Sequence, residues 1–176
     1  MNVSGERTFA APRQAVWDVL NDPASMAKTM PGVQSFDVHD AERWTANVKI
    51  PLGLGGLKMK IDMTKTEERP PEFARLKIKG AGVGAMLSME TSFELSDAGS
   101  GTSMAWAADV RLAGPVGSMG QRVLQPIVNQ QVQHVLKALE VQVNAAVAGA
   151  QSPSGTSGAD DGISPLSSEA YEADKA

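Results

Sequence analysis

Cysteine is absent from the 176-residue chain. This excludes disulfides, thiolate metal sites and a cysteine nucleophile, and is compatible with a reducing compartment. Histidine is scarce, with only His39 and His134. A hydrolase needs a nucleophile, a base and an orienting group. His39, beside Asp40 at a strand end, reads as an exposed turn residue, and His134, between Val132 and Val135 on a helical stretch, reads as a surface position. No His or carboxylate cluster has metal-ligand spacing, and Asp18, Asp62 and Asp109 fall at surface or structural positions. The Gly53 to Gly56 run is followed by no Gly-Lys-Ser or Gly-Lys-Thr and joins two strands, so it is a hairpin connection and not a phosphate loop. No run approaches the roughly 18 consecutive apolar residues of a membrane-spanning helix. The opening Met1 to Arg7 lacks the basic region and apolar run of a signal peptide. The expectation is a cytoplasmic, non-catalytic protein.

Charge is low in sum and uneven in place. The formal net charge is -4. Lys49, Lys58, Lys60, Arg75, Lys77 and Lys79 crowd the middle, and Asp160, Asp161, Glu169, Glu172 and Asp174 gather near the C-terminus. The basic residues form a candidate contact for a membrane or an anionic partner; a merely solvated strand face accounts for them as well. Aromatic residues that would stack bases are missing from that face, which argues against nucleic acid.

Periodicity supplies the architecture. Val3 to Phe9 alternates as a strand that Ala11-Pro12 stops, with Pro12 in the first turn of a helix carrying Val16, Trp17, Val19 and Leu20. Asp22-Pro23 then caps a second short helix with Met26 and Met30, ended by Pro31-Gly32. From Val33 to Leu112 the period is two, over six segments. Arg43 to Leu52 sets Trp44, Ala46, Val48 and Ile50 against Thr45, Asn47 and Lys49, and Leu57 to Glu67 sets Met59, Ile61 and Met63 against Lys58, Lys60 and Asp62. Later segments place Leu76 and Ile78, then Met89 and Phe93, then Met104 and Trp106, on one side. Turn residues separate them, including the Gly80 to Gly84 run. With the opening strand this predicts a seven-stranded antiparallel sheet apolar on one face.

That face must be covered. From Pro115 to about Ala148, Val116, Met119, Val123, Ile127, Val128, Val132, Val135, Leu139 and Val143 recur at helical steps, predicting one long amphipathic helix that Pro126 kinks or interrupts. Residues 1–148 thus form one α+β domain, and residues 149–176 a flexible acidic tail without hydrophobic periodicity. Methionines fall on the predicted inner faces together with Trp44 and Trp106. Taken alone, they suit either an ordinary packed core or an adaptable lining for an apolar ligand.

Three stretches carry a family resemblance: Ala11-Pro12-Arg13-Gln14-Ala15-Val16-Trp17-Asp18-Val19-Leu20-Asn21-Asp22-Pro23, Met30-Pro31-Gly32, and Gly114-Pro115-Val116-Gly117-Ser118-Met119-Gly120-Gln121-Arg122. Together with the element order they make the chain resemble the CoxG family, the carbon monoxide dehydrogenase G-subunit family within the START-like, Bet v 1-like (SRPBCC) superfamily. The resemblance implies a helix-grip fold, a curved sheet and long C-terminal helix enclosing an apolar cavity. It also implies a non-catalytic accessory protein whose partner is carbon monoxide dehydrogenase or a related molybdenum hydroxylase, peripheral at the inner face of the cell membrane.

On that basis the expected lining is Trp17, Leu20, Met26 and Met30 from the short helices; Trp44, Val48, Ile50, Met59, Ile61, Met63, Met89, Phe93 and Trp106 from the strands; and Met119, Val123 and Ile127 from the long helix. The expected ligand is a long apolar molecule, with a membrane isoprenoid quinone the leading candidate, since the implied partner must pass electrons to the quinone pool. The tail here is polar and acidic, unlike the hydrophobic extension of some family members, so membrane contact is expected through the basic strand face. A ligand-free adaptor with a filled core, a general START-like small-molecule binder, and an enzyme of the cyclase or hydratase kind remain alternatives.

Overall fold

The computed structural model describes residues 1–52 and 55–151. The element order is β1 (Asn2–Phe9), α1 (Arg13–Asn21), α2 (Pro23–Thr29), β2 (Val33–Val38), β3 (Arg43–Ile50), β4 (Leu57–Arg69), β5 (Phe73–Gly82), β6 (Ala85–Ala98), β7 (Gly101–Ala113), a single 3-10 turn (Gly117–Met119) and α3 (Gln121–Gln151). The strands form one antiparallel sheet in the order β1-β7-β6-β5-β4-β3-β2. Strands β2 to β7 follow one another as a meander, and β1 returns to pair with β7.

Strand β4 shows why the sheet is one-sided. Met59, Ile61 and Met63 are buried while Lys58, Lys60, Asp62 and Thr64 are exposed, the period-two alternation of a sheet with one wet face. Hairpins β5–β6 and β6–β7 close through two-residue turns, each with a glycine at positive φ, Gly84 (79°) and Gly99 (63°). The expected turn over Gly80 to Gly84 is shorter than its glycines suggested, because β5 continues through Gly82. Gly80 is buried, and a Cβ there would stand 3.0 Å from Met59 Cε and 3.1 Å from Leu87 Cβ. It serves close side-chain packing inside the strand.

Helix α1 starts after Pro12, which is its N-cap with extended backbone. Asp22 caps α2, accepting from the Ser25 amide at 2.9 Å and the Ser25 hydroxyl at 2.7 Å. The long covering segment is not one helix from Pro115. The 3-10 turn and Gly120, at φ 80°, interrupt it, and α3 begins at Gln121. α3 then runs unbroken through Pro126, where a kink or local interruption was expected, to Gln151. The residues of the expected tail beyond it lie outside the described residues.

α3 packs chiefly against α1, α2 and β1, and Arg7 of β1 forms an ion pair with its Glu140. The buried core falls into two clusters. One joins Phe9, Trp17, Val19, Leu95 and Met104 to Leu136, Leu139 and Val143 of α3. The other joins Trp44, Ala46, Val48, Met59, Ile61, Met63 and Ala85 beneath β3 and β4. A single contiguous core is usual for a domain; here the middle is not closed over.

Candidate functional site: an uncharged cavity under the long helix

The space between the clusters is a cavity of about 390 Å³. Its walls are the inner faces of β3 to β7 with Val3 of β1, Leu20 of α1, α2 with the following Met30-Pro31, and the underside of α3 with Val116 before it. Protein interiors rarely keep voids larger than a water molecule. The space is partly open, and the apolar side chains that face it forgo contacts that a filled core would supply. The volume falls within the usual range for small-molecule sites, about 300 to 1,000 Å³.

Twelve of the sixteen expected lining residues border this cavity: Leu20, Met26, Met30, Val48, Ile50, Met59, Ile61, Met63, Met89, Phe93, Trp106 and Ile127. Four do not. Trp17 is buried in the first core cluster, its ring 5.9 Å from that of Phe93. Trp44 is buried in the second, with the Lys65 ammonium 5.8 Å above its ring. Their inward side and size pointed to the cavity, but both are spent on packing at its ends. Met119 and Val123 are 44 % and 45 % exposed. Met119 lies in the 3-10 turn before Gly120, which breaks the helical phase, and Val123 lies inside α3 at the flank of its stripe, which is carried on Leu124, Ile127, Val128, Gln131, Val132, Val135, Leu136 and Leu139.

Sequence reasoning missed Leu124, Leu136 and Gln131. The first two complete the three- and four-residue steps once the helix is started at Gln121. Gln131 escapes a search for apolar positions because it is polar. None of the lining residues is charged; Thr29 donates to the Met26 carbonyl at 2.8 Å and Thr91 to the Ala107 carbonyl at 3.0 Å. Asp22, whose cap positions α2 and thus Met26, has its carboxyl held below the ordinary value of 3.8, first by the Ser25 hydroxyl and then by the Ser25 amide.

The opposite face of the sheet is charged. Lys49, Lys58, Lys60, Lys77 and Lys79 are exposed there, with Lys49 directly across from Lys58 and Asn47 across from Lys60. Among the described residues no ion pair involves these five lysines. Like charges set opposite one another destabilise a strand pair, so this cluster has a cost in isolation. Arg75, expected with them, is instead held by Glu67 at 3.2 Å and Glu90 at 3.7 Å. A hollow of about 440 Å³ on β4 to β7 has Asp62, Lys79, Ser88 and Arg111 in its wall together with Met86, Leu87 and Leu112. Among the described residues no group of three or more His, Cys, Asp or Glu is placed to hold a metal, and no helix is long and apolar enough to cross a membrane.

The family profile described as the carbon monoxide dehydrogenase G-subunit (CoxG) matches residues 5–144. The chain belongs to the CoxG family. The matched span takes in β2 to β7, most of β1, both short helices and most of α3, so every cavity-lining residue except Val3 lies within the CoxG match. Solved structures share the fold. A conserved protein from Geobacillus kaustophilus aligns at a TM-score of 0.78 and 20 % identity, covering 83 % of this chain and 97 % of that one. A START superfamily protein from Mycobacterium smegmatis aligns at 0.64 and 16 % identity, covering 82 % and 97 %. A protein from Thermus thermophilus aligns at 0.63 and 20 % identity, covering 83 % and 99 %. No curated protein sequence matches the chain. The fold is the seven-stranded helix-grip arrangement with a long C-terminal helix.

Proposed function

We propose that this CoxG-family protein is a non-catalytic accessory factor of carbon monoxide dehydrogenase or a related molybdenum hydroxylase, carrying an apolar lipid-like molecule in the cavity and linking the enzyme to the membrane. The observation that carries the ligand reading is the uncharged cavity of about 390 Å³ between sheet and long helix. The family name supplies the enzyme. An isoprenoid quinone is the leading ligand, because an enzyme that oxidises carbon monoxide must deliver electrons to an acceptor and a membrane quinone is an apolar one. Methionine-rich walls suit it: Met26, Met30, Met59, Met63 and Met89 adapt to a long flexible chain with little strain. The unpaired lysines of the outer sheet face are the proposed contact with anionic headgroups.

Organic extraction of the purified protein followed by lipid mass spectrometry tests the ligand. The expected result is a co-purifying quinone, or uptake of added quinone at about one per chain. Protein that is lipid-free as isolated and takes up no quinone refutes it.

A further inference from the structure

Trp106 Nε1 and Gln131 Oε1 are buried and without a hydrogen-bond partner, and both residues line the cavity. The third buried side-chain atom in this condition among the described residues, Trp44 Nε1, belongs to a residue outside the lining. Buried polar atoms are nearly always paired, and an exception in a native protein calls for a partner that the chain itself does not supply. Here one is a donor and the other an acceptor. The remaining polar side chains of the wall offer no such pair: Thr29 and Thr91 are committed to main-chain carbonyls, and Ser92 leaves no buried atom unpartnered.

The indole is held in place by its neighbour. Gly5 faces Trp106 across the β1–β7 pair, and a Cβ on Gly5 would stand 2.9 Å from Trp106 Cζ2 and 3.3 Å from its Nε1. The missing side chain is the space that the ring occupies, and any larger residue there would push the indole elsewhere.

Resting on the reading that the cavity holds an apolar molecule, we infer that its ligand is a neutral lipid with a carbonyl or hydroxyl on its head, met by the Trp106 N–H as donor and the Gln131 side-chain oxygen as acceptor. Neutrality follows from the wall. No lining residue is charged, so a carboxylate or phosphate head would be buried without a counter-ion, which is far more costly than burying a carbonyl that is hydrogen-bonded. A quinone satisfies the donor, and its reduced form satisfies the acceptor as well.

Three probes with the same ten-carbon tail separate the head from the tail: decylubiquinol kept reduced under anoxic conditions, decylbenzene and undecanoate, each titrated against N-phenyl-1-naphthylamine bound to the delipidated full-length protein. Two net hydrogen bonds, one accepted from Trp106 and one donated to Gln131, correspond to a preference of about tenfold for decylubiquinol over decylbenzene, with undecanoate the weakest competitor. Read as the ratio of the two affinities, which cancels changes in the apolar wall, the preference should fall a few-fold with Gln131→Leu and with Trp106→Phe and vanish when the two are combined. Gln131→Leu alone decides the matter if the tryptophan variant does not fold.

Equal wild-type affinities for decylubiquinol and decylbenzene, as would follow if water alone meets the two atoms, overturn the head-group assignment and leave the cavity reading standing. So does a preference that survives Gln131→Leu unchanged, or undecanoate competing as well as decylubiquinol. Failure of the dye and of all three probes to bind overturns the cavity reading and this assignment together.

Discussion

At Asp22 one carboxylate accepts from both the amide and the hydroxyl of Ser25, closing the first turn of α2. These bonds exist only in the folded chain and favour its ionised form, so the carboxyl is held below 3.8 when folded. The unfolded chain therefore binds more protons as the solution becomes acid, and the stabilisation, complete above the unfolded value, fades as pH falls through the lower folded one. Asp22→Ala should cost about 1 kcal/mol at pH 7, the usual worth of an N-cap. In urea titrations repeated from pH 7 downward, the gap between wild type and variant should narrow toward zero in that acid interval. A gap that stays constant with pH would remove the carboxylate as its source. Because α2 carries Met26 into the cavity wall, the same variant should also loosen ligand uptake.

The elements themselves are legible wherever periodicity runs unbroken. β4 alternates without exception from Lys58 to Thr64, and its burial follows suit; Asp22-Pro23 announces its helix by cap chemistry alone. Legibility fails where one glycine changes the phase of a longer pattern. Val116 and Met119 share a spacing with Val123 and Ile127, but Gly120 breaks the helix after Met119, so Val116 lines the cavity while Met119 faces out; Val123, inside α3, sits at the flank of its apolar stripe and faces out as well. It fails again where burial has two meanings. Trp17 and Trp106 are both inner-face tryptophans, and only three-dimensional neighbours tell the one packed on Phe93 from the one beside Gly5 and the cavity. Pro126 is legible as a disturbance, though α3 absorbs it. It is exposed, and the Arg122 carbonyl four residues back has no amide to meet. Pro126→Ala should restore that bond and stabilise the protein by about 1 to 3 kcal/mol, partly offset by the freer unfolded chain. Thermal unfolding checks this; a lowered Tm would mean that the cavity wall depends on the proline's local geometry.

Across the whole molecule the two faces of one sheet do opposite things, and the predictions separate them. The residues beyond position 151 carry the entire net charge of -4, leaving the rest of the chain balanced, so the lysines on the outer face are a local field within a neutral body. Near an anionic surface each lysine contributes about 1 kcal/mol. Lys58→Gln with Lys60→Gln should thus weaken binding to phosphatidylserine vesicles by about 30-fold at low salt, with the wild-type affinity itself falling as salt is raised. Sedimentation with vesicles measures this, and an unchanged double variant would move the membrane contact elsewhere. The inner face is tested by filling it. Met89 stands on the cavity wall, half-buried, between Ile78 and Val110 of the neighbouring strands, and Met89→Trp adds volume into an existing void instead of into a packed core. Overpacking costs about 1 to 3 kcal/mol where no space exists; here the added contacts replace empty volume, so the ligand-free variant should match or exceed the wild-type Tm. A ligand at 100 times its Kd stabilises the wild type by about 2.7 kcal/mol, a shift of several degrees for a chain of this size. The variant should show no such shift with decylubiquinone while its vesicle binding stays intact, because the lysines lie on the other side of the sheet. Loss of both together would mean that cavity and surface are one device, with the ligand's presence felt through the strands that they share.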